Sequence, residues 1–211
     1  MPKTASTRVL GPGRGLVLAA GLVLGLTLAP ENCAAAWALS TPQRAAVERG
    51  DVIVVASREG GATGPKATSA QAAIRIAAPP DTVFGIMTDC AAAATWVPRL
   101  VSCRVVESDP GQSTEVIAHR VDYGWFAPRI DYVFRAHYAD RRAIRFEHVS
   151  GDLDENEGAW ALELAADGVS TLVTYRARTR PRFPVPQWLY QRGVSTEVPG
   201  LLRALRARAE Q

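Results

Sequence analysis

The chain has 211 residues, 47% of them hydrophobic, and a formal net charge of +3. One basic cluster, Arg203, Arg206 and Arg208, lies near the carboxyl terminus, while acids elsewhere nearly balance the other cations. A nucleic-acid-binding surface needs clustered cations in clear excess of local acids, so this balance excludes nucleic acid as the expected partner.

The amino-terminal segment has the order of a secretory signal. Cations precede an uncharged apolar run over 15–29, and small residues follow up to Ala36. The run is shorter than the roughly 20 apolar residues that a membrane-spanning helix needs. We therefore expect residues 1–38 to be a cleaved signal, which exports the protein to the periplasm or the medium and leaves no stable membrane span. An uncleaved amino-terminal anchor is the alternative.

The remaining residues, 39–211, are enough for one domain with a sizeable core and too few for two. Removal of the signal also removes three cations and Glu31, which lowers the net charge from +3 to about +1. The expected mature protein is therefore a single, nearly neutral domain.

The first half of this domain is predicted to contain two strands and two short helices. β-branched residues over 51–57 indicate a strand, and alternation over 68–78 indicates a second one after a turn. A pair of prolines closes the second strand and opens a helix over 80–89, because proline is tolerated in the first turn. A second helical piece over 91–95 ends where another proline follows.

The second half alternates between polar and apolar residues in the manner of an antiparallel meander. Turn residues interrupt the pattern at intervals of roughly 12 to 15 residues between Leu100 and Arg180. The breaks are Asp109-Pro110-Gly111, Ala127-Pro128, Asp140-Arg141, Gly151-Asp152 and Asp167-Gly168. Apolar residues then recur at helical spacing over 184–211, which predicts a long amphipathic helix interrupted near Gly193 or Pro199.

Two cysteines, Cys90 and Cys103, remain after processing. Export to an oxidising compartment favours a disulfide between them, and two buried free cysteines are the alternative. The three histidines fall at no zinc-ligand spacing with this pair. The chain also lacks a nucleophile elbow, a glycine-rich phosphate loop and a helical zinc-protease motif. The sequence therefore predicts no metal, no cofactor and no catalytic residue.

The order of these elements predicts an α+β fold in which a curved antiparallel sheet wraps around the long final helix. Such a helix-grip fold leaves a cavity between the helix and the concave face of the sheet. Alternation along each strand identifies the inward parity, which carries aromatic residues and hardly a charge. The candidate ligand contacts on this parity are His119, Tyr123, Trp125, Tyr132, Phe134, Phe146, His148, Trp160, Leu162 and Tyr175.

Several segments of the chain resemble the START-like ligand-binding superfamily, also called SRPBCC. They are PPDTVFGIMTD with the WVP that follows it, EGAWALEL, STLVTY and PRFPVP. The resemblance covers about 67–209, and it is closest to polyketide cyclase/dehydrase-type and coenzyme Q-binding START-type proteins. It implies a small-molecule ligand within the helix-grip fold, and it carries over no catalytic or contact residue.

These features favour an exported binding protein for an apolar small molecule, such as a lipid or an isoprenoid quinone. An apolar pocket with a few hydrogen-bonding groups is the usual composition of such a site. A cyclase or dehydrase that uses His119 or His148 with a tyrosine is one alternative. A structural or partner-binding protein of the cell envelope is the other, and the sequence names no protein partner.

Overall fold

A curved sheet of eight antiparallel strands forms the framework of the molecule. The computed structural model describes residues 38–60, 65–125 and 127–211. The predicted signal, residues 1–38, therefore lies outside the described residues except for Ala38. The strands are β1 (Ile53–Glu59), β2 (Ala67–Ile76), β3 (Leu100–Asp109), β4 (Thr114–Val121), β5 (Ile130–Ala139), β6 (Ala143–Gly151), β7 (Leu153–Leu164) and β8 (Thr171–Pro181).

The helices flank this sheet at the start, in the middle and at the end of the chain. They are α1 (Thr41–Glu48), α2 (Pro80–Thr88), α3 (Cys90–Trp96), α4 (Gln187–Arg192) and α5 (Val198–Ala209). A π-helical turn, Gly193–Glu197, joins α4 to α5. The predicted interruption near Gly193 is this turn, and the chain stays helical through it instead of breaking.

The strands lie in the order β1-β2-β8-β7-β6-β5-β4-β3, and every neighbouring pair is antiparallel. This arrangement, closed by a carboxyl-terminal helix, confirms the predicted α+β helix-grip fold. Helix α1 was not predicted from the sequence, although Ser40 and Gln43 form a capping box at its start.

The polar parity of the meander lies on the convex face, as the alternation predicts. Arg120 on β4 stands opposite Asp131 on β5, and two of its nitrogens contact the two carboxylate oxygens at 2.7 and 2.9 Å. Arg135 on β5 and Glu147 on β6 form a looser pair at 3.9 Å. Exposed pairs of this kind add little stability, but they show which side of each strand faces water.

The core lies where α5 and α2 pack on the sheet. Leu202 and Leu205 of α5 are at most 1% exposed, and they belong to one cluster with Val83 of α2. Ile74 of β2 and Val173 of β8 complete this cluster from the sheet, and both are fully buried. Each such side chain contributes roughly 1.5–3 kcal/mol through burial, so this contact anchors the helix on the sheet.

A glycine on β7 allows an aromatic ring to lie flat against the strand. Gly158 pairs with Phe146 of β6. A Cβ built on Gly158 would stand 2.6 Å from Cζ of Phe146 and would also collide with the backbone of Arg176. The missing side chain therefore makes room for the Phe146 ring over the strand.

We predict that Gly158→Ala lowers the free energy of unfolding by about 2 kcal/mol or more, because the methyl group overlaps backbone that cannot move aside. Urea denaturation would measure this change. Gly85→Ala is the matched control, since Gly85 is exposed in α2 and has open space where a Cβ would stand. The control should be stabilised by up to about 1 kcal/mol. Equal midpoints for Gly158→Ala and the parent would contradict this packing.

Candidate ligand-binding cavity

A cavity of about 390 Å³ lies between the concave face of the sheet and the helices. Strands β3 to β8 form its wall, and α3, the π-helical turn and α5 cover it. Small-molecule pockets commonly measure about 300–1,000 Å³. The space is therefore large enough for a small organic ligand.

Seven of the ten candidate contacts line this one cavity. They are His119, Tyr123, Tyr132, Phe134, Phe146, Trp160 and Tyr175. They come from five strands and from the loop after β4, so the fold brings together residues that lie up to 56 positions apart in sequence. The inward parity of the meander therefore locates most of the cavity wall.

The other three candidates do not line the cavity. Trp125 is 97% exposed, because β4 ends at Val121 and the alternation does not continue into the loop. Leu162 is 2% exposed within the core cluster, where the helices pack directly on the sheet and leave no space. His148 lies directly before a register shift between β5 and β6, and its Nδ1 is buried with no hydrogen-bond partner among the described residues.

The aromatic side chains form a continuous wall across β4 to β8. The ring of His119 lies 4.9 Å from that of Phe134, edge to face, and Phe134 lies 6.2 Å from Phe146. Phe146 is stacked on Tyr175 at 6.5 Å, and Tyr175 contacts Trp160 at 4.2 Å between ring centroids. Edge-to-face and offset contacts at these distances are favourable, so each ring holds its neighbour in place.

A histidine–tyrosine hydrogen bond supplies a polar group within this wall. Nδ1 of His119 lies 3.2 Å from the hydroxyl oxygen of Tyr132. Burial lowers the pKa of His119 from 6.5 to about 4, so the imidazole is neutral at physiological pH. Burial also raises the pKa of Tyr132 and of Tyr175, which keeps both hydroxyls protonated.

Two charged residues that were not predicted from the sequence, Arg99 and Glu197, also line the cavity. Glu197 is the last residue of the π-helical turn and lines the cavity. Its Oε2 lies 3.8 Å from Nε of Arg99, and its Oε1 lies 3.4 Å from Nε of Arg192. Burial, and next the charge of Glu197, raise the pKa of Tyr123, which places these groups close together. The only signal in the sequence was the interruption near Gly193, since π-helical turns often occur at functional sites.

The predicted disulfide is present in the structure and borders the cavity. Cys90 at the start of α3 is bonded to Cys103 on β3, with their Cα atoms 5.4 Å apart. Both cysteines contribute to the lining. Because β3 is an edge strand with one neighbour, the bond holds the outer wall of the cavity to the helix above it.

The described part of the chain shows neither a membrane-spanning helix nor a metal-binding cluster. None of its helices has the length and apolar character needed to cross a membrane. No group of three or more histidine, cysteine, aspartate or glutamate side chains in that part is arranged to hold a metal ion.

The family comparison covers most of this domain. Residues 76–206 match the model of the family described as polyketide cyclase/dehydrase and lipid transport. The chain belongs to this family. The matched range extends from the end of β2 to α5, and it includes all seven candidate residues that line the cavity. No curated protein sequence matches the chain significantly.

Solved structures of START-like proteins share the fold of this protein, and they confirm its resemblance to the START-like superfamily. A START superfamily protein from Mycobacterium smegmatis is 19% identical, with a TM-score of 0.59 over 68% of this chain and 97% of that chain. The STAR-related lipid transfer protein from Xanthomonas axonopodis is 24% identical, with a TM-score of 0.58 over 74% and 99%. The Zhui aromatase/cyclase from Streptomyces sp. R1128 is 16% identical, with a TM-score of 0.57 over 76% and 94%. Identities this low show the fold alone.

We predict that His119 makes the stability of the protein depend on pH. Because its pKa is about 4 when folded and 6.5 when unfolded, the unfolded chain binds a proton first as the pH falls. The free energy of unfolding should therefore decrease between about pH 6.5 and pH 4 by up to about 3 kcal/mol. The groups that face His119 are Tyr132, Phe134 and the disulfide-bonded Cys103, and none of them titrates in this range.

Urea denaturation of two variants at about pH 7 and about pH 4.5 would measure this contribution. His119→Gln should lose the part of the pH dependence that belongs to the buried imidazole. His137→Gln is the matched control, because His137 is exposed and its variant should keep that dependence. The same change of stability with pH in both variants would contradict the prediction.

Proposed function

We propose that the protein binds an apolar small molecule, such as a lipid or an isoprenoid quinone, in this cavity. The continuous aromatic wall around about 390 Å³ of space carries the proposal. Protein interiors are close-packed and rarely leave voids larger than a water molecule. An apolar space of this size, lined by a few polar groups, has the composition of a binding site.

The similarity to known proteins supports binding or carriage. The description of the family includes lipid transport, and a STAR-related lipid transfer protein shares the fold. We propose export to the periplasm or the medium on separate grounds, namely the signal-like order of residues 1–38 and the Cys90–Cys103 disulfide.

A cyclase or dehydrase is the second candidate function. The 3.2 Å contact between His119 and Tyr132 favours it, and so does the fold shared with an aromatase/cyclase. General acid–base catalysis works best when the pKa of the acting group lies near the operating pH. The pKa of His119 is lowered to about 4 and that of Tyr132 is raised, so this pair is poorly matched to proton transfer at neutral pH. Binding is therefore the better-supported function.

Recovery of the bound molecule would test the proposal. The full chain would be expressed with its signal, purified from the periplasm or the medium, and studied by native mass spectrometry and organic extraction. We expect one apolar molecule per protein, returned chemically unchanged, and a protein mass that lacks the signal. Conversion of a bound precursor would favour the enzyme, and an empty protein in a stable complex with a protein partner would favour the structural role. Retention of residues 1–38 would contradict cleavage.

We predict that substitution of a cavity residue mainly impairs ligand binding, whereas substitution of a core residue mainly lowers stability. Tyr123→Ala should abolish capture of the co-purifying molecule at a modest loss of stability, because a side chain beside open space has fewer packing partners. Leu202→Ala should lower the free energy of unfolding by about 2–5 kcal/mol, because it leaves a void in the close-packed core. Thermal melting and ligand extraction would measure the two effects. Unfolding of Tyr123→Ala as severe as that of Leu202→Ala, or unchanged ligand capture, would show that Tyr123 does not form part of the binding site.

A further inference from the structure

Three tyrosines and one histidine bring polar atoms into the cavity. We define the tyrosine–histidine cluster as His119, Tyr123, Tyr132 and Tyr175, all of which line the cavity. Burial raises the pKa of Tyr132, and Tyr123 and Tyr175 are near enough that their ionised forms would raise it further. The hydroxyl of Tyr132 is engaged with His119 at 3.2 Å.

The hydroxyl groups of Tyr123 and Tyr175 are available to form hydrogen bonds with a ligand. Among the described residues, neither Tyr123 nor Tyr175 has a hydrogen-bond partner for its hydroxyl. The indole nitrogen of Trp96, another lining residue, is buried and likewise lacks a partner in the described part of the chain. Buried tyrosine and tryptophan usually satisfy these groups, and an indole N–H can only donate. The cavity therefore offers donors to an oxygen atom that the protein itself does not supply.

The charges of the lining residues restrict the kind of chemical group that can supply this oxygen atom. Arg99 and Glu197 are the charged residues among the side chains that line the cavity, and they lie 3.8 Å from each other. Arg192, which lies 3.4 Å from Glu197, is not a lining residue. Hydrogen bonds from Arg129 and Gly124 lower the pKa of Asp122, and the nearby charge of Arg99 adds to this effect. The one cation among the lining residues, Arg99, therefore faces two carboxylates of the protein. His119 is neutral because burial lowers its pKa to about 4. A carboxylate moved from water into this site would find donors but no uncompensated positive charge, and burying an unpaired charge is costly.

We infer that the cavity selects an uncharged apolar molecule that carries a hydrogen-bond-accepting oxygen, such as a ketone carbonyl, and that the tyrosine–histidine cluster holds this oxygen. Tyr123 and Tyr175 donate to it, while the hydroxyl of Tyr132 is held by His119. A carboxylate of the same shape is excluded by its charge. This inference rests on the proposed function and adds the chemical class of the ligand.

Three naphthalene probes of similar shape would test the inference. They are 2-acetylnaphthalene, which carries a ketone, 2-naphthoate, which carries a carboxylate, and 2-ethylnaphthalene, which carries no oxygen. Equilibrium dialysis against the ligand-stripped mature protein near neutral pH would give the three dissociation constants. We expect the ketone to bind about tenfold or more tightly than either the carboxylate or the ethyl compound.

Phenylalanine variants would then assign the preference to individual hydroxyl groups. Tyr123→Phe and Tyr175→Phe should each lower the ratio of ketone to ethyl affinity about fivefold, since each removes one donor and keeps the ring. Tyr190→Phe is the matched control, because Tyr190 lies outside the cavity lining with Arg58 over its ring, and it should leave the ratio unchanged. If either variant fails to fold, the comparison of ketone and carboxylate on the parent protein decides the question.

The possible outcomes separate this inference from the function on which it rests. Carboxylate binding as tight as ketone binding would overturn the selection for an uncharged ligand. An unchanged ketone-to-ethyl ratio in both phenylalanine variants would overturn the role of the cluster, even if all three probes bind. Failure of every probe to bind, the ethyl compound included, would count against both the proposed function and the inference.

Discussion

The packing of α5 on the sheet divides the interior into a close-packed core and a cavity. Leu202 belongs to the core, and Leu205 belongs to the core and also lines the cavity. Eight strands spaced about 4.8 Å apart span roughly 34 Å, whereas a helix with its side chains is about 10–12 Å wide. One helix therefore cannot cover the whole concave face. Where α5 and α2 meet β2, β7 and β8, the side chains are fully buried. Toward β4, β5 and β6 the sheet curves around space, and that space is the cavity.

The polarity of the two faces follows from the same geometry. On the convex face, cross-strand pairs such as Arg120 with Asp131 remain in water, where their charges are well solvated. On the concave face, the hydrogen-bonding groups are mostly uncharged at physiological pH, because burial disfavours their charged forms. The exception is the ion pair of Arg99 with Glu197, in which each charge compensates the other. Such an interior supports the proposal of a neutral ligand, because burying an unpaired charge is costly.

The fold by itself leaves the activity open. Proteins with this fold include one described as a lipid transfer protein and one described as an aromatase/cyclase, and a fold hosts many functions. The choice between them depends on the side chains in the cavity. Here the pair of His119 and Tyr132 is neutral over a wide range of pH. The hydroxyl groups of Tyr123 and Tyr175 remain available as hydrogen-bond donors. These properties suit recognition of a neutral oxygen better than transfer of a proton.

The sequence by itself determined most strands and their inward parity, because both depend on local alternation. It favoured the disulfide on the separate ground of expected export and left two free cysteines as the alternative. Period-two patterning assigns a face to each residue while its strand lasts, and for this reason six of the ten candidates line the cavity from strands. Tyr123 also lines the cavity, but from the loop after β4. Tertiary structure decided the rest. Trp125 lies outside the lining because the end of β4 is set by pairing with its neighbours. Leu162 lies outside it because the position of α5 determines which inward residues are covered. Arg99 and Glu197 meet only after the chain returns from β8 through the π-helical turn, so no local pattern could place them at the cavity. Local periodicity fixes the direction of a side chain, but the space in front of it depends on the packing of distant elements.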